Sequence, residues 1–312
     1  MKKIVRIQQR DDSLMHLTWM INNICPNRCS YCPETLHNGS NHNYEWANAK
    51  KFFELLFKRY KNIHCSVSGG EASVSPFFKE IVKTFHDAGH TIGATSNAAK
   101  PAAYWADISN YLTYICFSYH PEFPDEKFIE KIKAACFNTR VTVRVMMHPR
   151  YWDQTVDMYY KLQEVDNVYV EPVKIHDWGA PDRSVFVYTK EQDQFFIDNY
   201  RVEKHLELNR TVRLPNIDAT YYMDNNEEIS PANCVDFINS GMTNFNGYSC
   251  DIGLKSLFIS FDGDIFLANC MIGGSIGNIN DPDNIQWPVS PVICNKDLCH
   301  CTSDVNISKR IV

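Results

Sequence analysis

The chain has 312 residues, 44% hydrophobic and 22% charged, which is enough for a domain of about 200 residues with a smaller one beside it. A formal charge of −6 without any basic run argues against a long nucleic-acid partner, because nothing would neutralise successive phosphates. The start MKKIVRIQQRDD lacks the apolar core of a signal peptide, and no run approaches the roughly 18 apolar residues of a membrane span, so a cytoplasmic protein with no membrane partner is expected.

In chain order, strand-like runs at 15–24, 64–69, 91–97, 113–119, 140–147 and 167–173 alternate with helix-prone stretches at 45–60, 75–88, 101–110, 125–137 and 153–164. A further helix is expected at 190–208, and the stretch IHDWGAPDRS at 175–184 reads as a long loop edging an active site. Such alternation predicts an α/β fold with a parallel sheet and helices outside it.

Period-two alternation then assigns faces. Val141, Val143, Val145 and Met147, like Ile115, Phe117 and Tyr119, are expected against helices. The opposite set is polar: His64, Ser66 and Ser68; Thr95 and Asn97; Cys116, Ser118 and His120; Thr142, Arg144, Met146 and His148; Tyr169 and Glu171. Polar groups on that scale are costly in a dry core, so they predict a cavity for ligands.

Twelve cysteines in a chain of this kind suggest metal ligands rather than disulfides. Cys25, Cys29 and Cys32 follow the first strand with C-x3-C-x2-C spacing. Three thiolates hold a four-iron cluster with one iron left open; a zinc site completed by His37 or His42, or three unrelated buried thiols, are the alternatives.

This spacing, together with Tyr31 before the last cysteine and Ser68-Gly69-Gly70-Glu71 at the end of the second strand, resembles the radical S-adenosylmethionine (radical SAM) superfamily, although Ala72 stands where many members have proline. The resemblance implies a partial (β/α)6 TIM-like barrel over residues 1–209. It also implies a [4Fe-4S] cluster whose open iron takes S-adenosylmethionine, and a flavodoxin- or ferredoxin-like electron donor. Reductive cleavage to a 5'-deoxyadenosyl radical would then begin hydrogen abstraction from a substrate C–H bond. Tyr31, Ser68, Gly69, Gly70 and Glu71 are its implied cofactor contacts, joined by Asn97 and Ser118 at strand ends. Arg144 is expected to clamp a carboxylate of cofactor or substrate, or else to pair with Glu171. His120 and Glu171 are the candidate catalytic groups.

Downstream, Cys250 and Cys270 bracket a predicted hairpin turning at Asp262-Gly263, and Cys294, Cys299 and Cys301 follow in ICNKDLCHC. This arrangement resembles the twitch or SPASM extensions of radical SAM enzymes and implies a small α+β domain over 210–312 with one auxiliary iron-sulfur cluster, of the [4Fe-4S] type, as electron acceptor or substrate anchor. Cys250 and Cys270 match best, Cys299 and Cys301 are favoured to complete the set, and Cys294 stays open; structural zinc is the alternative. Cys234 lies in an expected capped helix from Ser230 to Gly241 and reads as packing.

A small molecule is the expected substrate, because a lumen carrying Arg144 and Glu171 suits one. The alternative is a ribosomal peptide delivered by a separate leader-binding protein, since the barrel is expected to begin within the first fifteen residues. A noncatalytic iron-sulfur or zinc binding protein is the reading from another class.

Overall fold

The computed structural model describes residues 3–39, 44–176, 184–199, 219–225, 227–229, 234, 237–238 and 240–312. Two calls from the sequence therefore lie largely outside the described residues: the loop at 175–184 and the helix from Ser230. So do His42 and the end of the helix at 190–208.

The first half of the chain follows the predicted alternation. It runs β1 Ile4–Gln9, β2 Leu14–Met20, α1 Trp46–Arg59, β3 Asn62–Ser68, α2 Phe78–Asp87, β4 Thr91–Ser96, α3 Ala102–Ile108 and β5 Tyr114–Tyr119. Then come α4 Phe128–Ala135, β6 Arg140–Met146, α5 Trp152–Gln163, β7 Val168–Val173 and α6 Lys190–Asn199. Short strands follow: β8 Ala219–Met223, β9 Glu228–Ile229, β10 Tyr248–Cys250, β11 Ser256–Ile259, β12 Asp264–Phe266, β13 Ser275–Asn278, β14 Val292–Ile293 and β15 Lys309–Ile311.

Two compact units result. One comprises Met1–Met20, Asn43–Ser66 and Pro215–Val312; the other comprises Ile21–His42 and Val67–Leu214.

In the second unit β4, β5, β6 and β7 pair in parallel, with Ile115 opposite Val141 and Val143 opposite Val170. Val141, Val143, Val145 and Met147 are buried as their alternation requires. Phe117 meets Trp105 of α3 edge-on at 4.8 Å, and Tyr119 meets Phe128 of α4 at 5.3 Å. Those contacts identify the helix-facing side of β5 and turn Ser118 the other way. The helices supply matching stripes: α2 buries Phe78, Ile81, Val82 and Phe85, the i, i+3, i+4, i+7 spacing of one helical face.

The first unit contains a six-stranded antiparallel sheet in the order β14-β10-β15-β1-β8-β9. Its strands span two to six residues, too short for period two to declare itself, so the sequence reading found only the β11–β12 hairpin among its neighbours. That hairpin turns at Gly263 with φ +84°, as an Asp-Gly turn predicts. Unforeseen was that β11 pairs in parallel with β2, Ser256 opposite His16 and Ile259 opposite Trp19. Beneath the six-stranded sheet, Ile4, Ile7, Tyr221, Phe245, Tyr248, Ile252, Val305 and Ile307 share one core with several cysteines. Among the described residues no helix is long and apolar enough to cross a membrane.

Candidate active site

The cysteine loop is built by backbone pairing within the second unit. Ile21 N donates to Ser68 O, Gly70 N to Asn22 O and Glu71 N to Ile24 O, at 2.8–2.9 Å. Gly69 has φ +141°, and a Cβ there would stand 2.4 Å from Asn22 O; at Gly70 it would stand 2.4 Å from Leu36 O and 2.5 Å from Ile24 O. The glycines are thus required by the chain's own close approach, not only by room for a ligand. Glu71, expected at the cofactor, has its carboxylate fully engaged: Oε1 accepts from Ser73 N and Ser96 Oγ, and Oε2 accepts from Asn97 N. It ties the end of β4 to the glycine turn.

Around this framework lies a cavity of about 390 Å³ lined by Cys25, Cys29, Tyr31 and Cys32 of the loop and by Ser68, Gly69, Gly70 and Glu71. Thr95, Ser96, Asn97, Ser118, His120 and Met146 complete the wall from the ends of β4, β5 and β6. The carboxyl ends of parallel strands are where loop groups converge on ligands.

Asn97 Nδ2 lies 3.4 Å from Cys25 Sγ, and its Oδ1 is buried with no hydrogen-bond partner among the described residues. Burial pushes the Cys25 thiol up to about 11 and Cys29 to about 12. Loss of either proton is therefore unfavourable without a cationic group to compensate the thiolate for its lost solvation. Tyr31 stacks on His120 with ring centroids 6.0 Å apart, and its hydroxyl stands 2.7 Å from Nδ1. Burial pushes the phenol upward and holds His120 down to about 4, so a neutral imidazole accepts at Nδ1 from a protonated phenol. The remaining ring proton then sits on Nε2.

Glu122 was missed from the sequence although it lies two residues beyond His120. Its Oε2 accepts from Ser30 N at 2.7 Å and its Oε1 from Ser30 Oγ at 2.5 Å, while His148 Nε2 stands 3.4 Å from Oε1. It fastens the cysteine loop to the segment after β5. Asn27, Pro33, Leu36 and Ser96 also line the cavity, without a role expected from the sequence.

Arg144 and Glu171 are absent from this lining. They are opposite one another on β6 and β7, and Arg144 Nε donates to Glu171 Oε2 at 3.1 Å, with about half of the arginine side chain exposed. The ion pair of the pairing alternative is thus formed.

No protein-family model matches the sequence, and no curated protein matches it. Solved structures do. Native anSMEcpe with bound AdoMet is 14% identical, the match covering 86% of this chain and 78% of that one with a TM-score of 0.50. The same protein with AdoMet and Kp18Cys peptide gives 0.51 over the same shares, at 14% identity. Streptococcus suis SuiB bound to S-adenosylmethionine is 13% identical over 88% of this chain and 64% of its own, with a TM-score of 0.51.

The chain shares the fold of these S-adenosylmethionine-bound proteins.

The donor set suits a polynuclear iron centre: three soft thiols open onto one cavity, beside an amide oxygen that lacks a partner among the described residues. A second set of cysteines is distributed around the core of the first unit. Cys250 and Cys294 are buried in it, and Cys270 and Cys299 pack against it. Burial, with Asp304 and the Cys250 and Cys294 thiols adding, pushes Cys270 up to about 11. Cys299 rises to about 12 for the same reasons, with Cys250 and Cys270 as neighbours. Cys301 lies 3.0 Å from Ser303 Oγ and near Cys234.

Proposed function

We propose that the protein is a radical SAM enzyme that reductively cleaves S-adenosylmethionine and abstracts hydrogen from a C–H bond of a peptide substrate. The observation that carries the chemistry is the convergence of Cys25, Cys29 and Cys32 with Ser68, Gly69, Gly70, Asn97, Ser118 and His120 on one cavity. A [4Fe-4S] cluster on the three cysteines supplies the electron for sulfonium cleavage when S-adenosylmethionine is bound. The chain's own part is positional. The glycine turn brings backbone polar groups to the cavity, Asn97 Oδ1 awaits a donor, and Tyr31 presents an aromatic face beside the cysteines. His120 Nε2–H is available to a substrate oxygen. A flavodoxin- or ferredoxin-like protein is the expected electron donor.

A peptide is favoured over a small molecule for two reasons. Arg144 and Glu171, which had suggested a small charged substrate, pair with each other and do not line the cavity. Moreover, anSMEcpe, whose fold this chain shares, has been solved with AdoMet together with the Kp18Cys or Cp18Cys peptide. Within the same reading, β2 to β7 with their helices form the partial (β/α)6 barrel, and the strands from β8 onward, joined by β1 in the six-stranded sheet, form the twitch or SPASM-like portion. The auxiliary cluster is held by Cys250, Cys270, Cys294 and Cys299, with Cys301 outside the set.

Anaerobic reconstitution, reduction and incubation with S-adenosylmethionine should yield 5'-deoxyadenosine, detected by mass spectrometry. Replacing Cys25, Cys29 and Cys32 together with alanine should abolish that product and remove about half of the roughly eight irons that two four-iron clusters require. Continued 5'-deoxyadenosine formation by that variant would sink the assignment.

A further inference from the structure

Lys309 is a buried ammonium in an unusual setting. It is 3% exposed, yet its Nζ donates only to main-chain carbonyls, those of Asp304, Val305 and Ile307, each at 2.8 Å. The Phe245 ring lies beneath the Nζ at 4.9 Å. Among the described residues, no ion pair of Lys309 with a carboxylate is found. The carboxylate of Asp304 is instead turned to Asn269 Nδ2 and Cys270 N, at 3.0 and 3.1 Å. Carbonyl dipoles and a π face solvate an ammonium in part, but a full positive charge taken out of water calls for negative charge nearby.

The fold states where that charge would be. β10 and β15 are antiparallel, and Lys309 is the direct cross-strand partner of Cys250. Phe245, Tyr248, Cys250, Cys294 and Val305 belong to the core around the lysine, with Cys270 and Cys299 against it. Four thiolates around a four-iron centre carry excess negative charge, which would add to that of the buried Asp304 carboxylate already interacting with Lys309.

We propose that Lys309 is the fixed counter-charge of the auxiliary cluster, a positioning residue that raises its reduction potential and so favours electron uptake from a substrate radical. This rests on the auxiliary-cluster reading above. The cation stabilises the reduced centre more than the oxidised one because the reduced centre carries one more negative charge, and the low-dielectric surroundings leave that attraction weakly screened.

The test uses the full chain with Cys25, Cys29 and Cys32 replaced by alanine, so that the auxiliary centre alone contributes. Iron content, thermal stability and a potentiometric titration followed by electron paramagnetic resonance are compared for this parent, Lys309→Gln and Lys309→Arg. Gln retains hydrogen-bond donors and removes the charge; Arg retains the charge. The expected result is four irons per chain in all three. At a given ambient potential the reduced-to-oxidised ratio should fall at least tenfold in Lys309→Gln, equivalent to about 59 mV for one electron. In Lys309→Arg it should stay within about twofold of the parent.

Equal potentials for the parent and Lys309→Gln would overturn the counter-charge role. Equal loss of iron from Lys309→Gln and Lys309→Arg would overturn it too, showing that the lysine serves only to cap the three carbonyls. A parent without auxiliary iron overturns the auxiliary-cluster reading itself, and the proposal with it, which the iron measurement distinguishes from the other two outcomes.

Discussion

Tyr31 and His120, eighty-nine positions apart, meet at 2.7 Å between the phenol hydroxyl and imidazole Nδ1, with their rings stacked at 22°. The contact joins the cysteine loop to the end of β5 and sets the imidazole tautomer beside the cavity. Tyr31→Phe removes the donor and leaves a buried acceptor unpaired. The apoprotein should lose about 1–3 kcal/mol of stability, read from its urea midpoint, while the three cysteines still take up their iron. An unchanged midpoint would show that the contact carries no energy. His120→Ala, if the Nε2–H reaches substrate, should lower turnover about 10²–10⁴-fold, with substrate-free S-adenosylmethionine cleavage altered far less.

Gly70→Ala tests the close backbone approach. A Cβ at 2.4 Å from Leu36 O has no flexible neighbour to displace, so the glycine turn and the cysteine loop must separate. S-adenosylmethionine binding should weaken by at least tenfold and iron retention on Cys25, Cys29 and Cys32 should fall, although no thiol has been touched. Wild-type binding by equilibrium dialysis would contradict the requirement for glycine.

Arg144→Met and Glu171→Gln should leave S-adenosylmethionine cleavage within about twofold of wild type. The pair is partly exposed and does not line the cavity, so each change should cost no more than about 1 kcal/mol of stability after solvent screening. A large loss of cleavage with intact iron would return these residues to the site that alternation alone had suggested.

Acid stability should depend on His16 and His64, whose rings meet at 6.3 Å in the first unit. Burial holds His16 down to about 4 and His64 to about 3, against 6.5 when exposed. Both are neutral in the native protein at pH 6, whereas the unfolded chain takes up protons as pH falls below 6.5. The unfolded state then binds more protons, so stability is complete above pH 6.5 and declines from there toward pH 4. The limiting slope is about 1.4 kcal/mol per pH unit for each histidine. Urea unfolding between pH 4.5 and 7.5 should show this decline and should be flatter for His64→Asn; a pH-independent midpoint would rule the effect out.

Much of the α/β core was legible because its signals are local. Alternation over six or seven residues placed β5 and β6 and named their helix-facing sides, and the C-x3-C-x2-C spacing with the downstream Gly-Gly-Glu marked the residues that line the cavity. Each signal is carried by neighbours in sequence, whose covalent spacing limits what they can build.

The tertiary structure decided the rest. Strand alternation allowed Arg144 a lumenal place, but only the β6–β7 register, which sets Arg144 opposite Glu171, determines that they satisfy each other. Proximity in sequence grouped Cys301 with Cys299, whereas the turn into the helix Thr302–Val305 carries Cys301 toward Ser303 and Cys234. Lys309 carried no signal in the sequence at all; its position opposite Cys250 depends on pairing a three-residue strand at the end of the chain with another fifty-nine positions earlier. Such short strands have no periodicity of their own, so their partners, and the charges they bring together, are selected by the shared burial of side chains from Ile4 to Ile307 rather than by any local pattern.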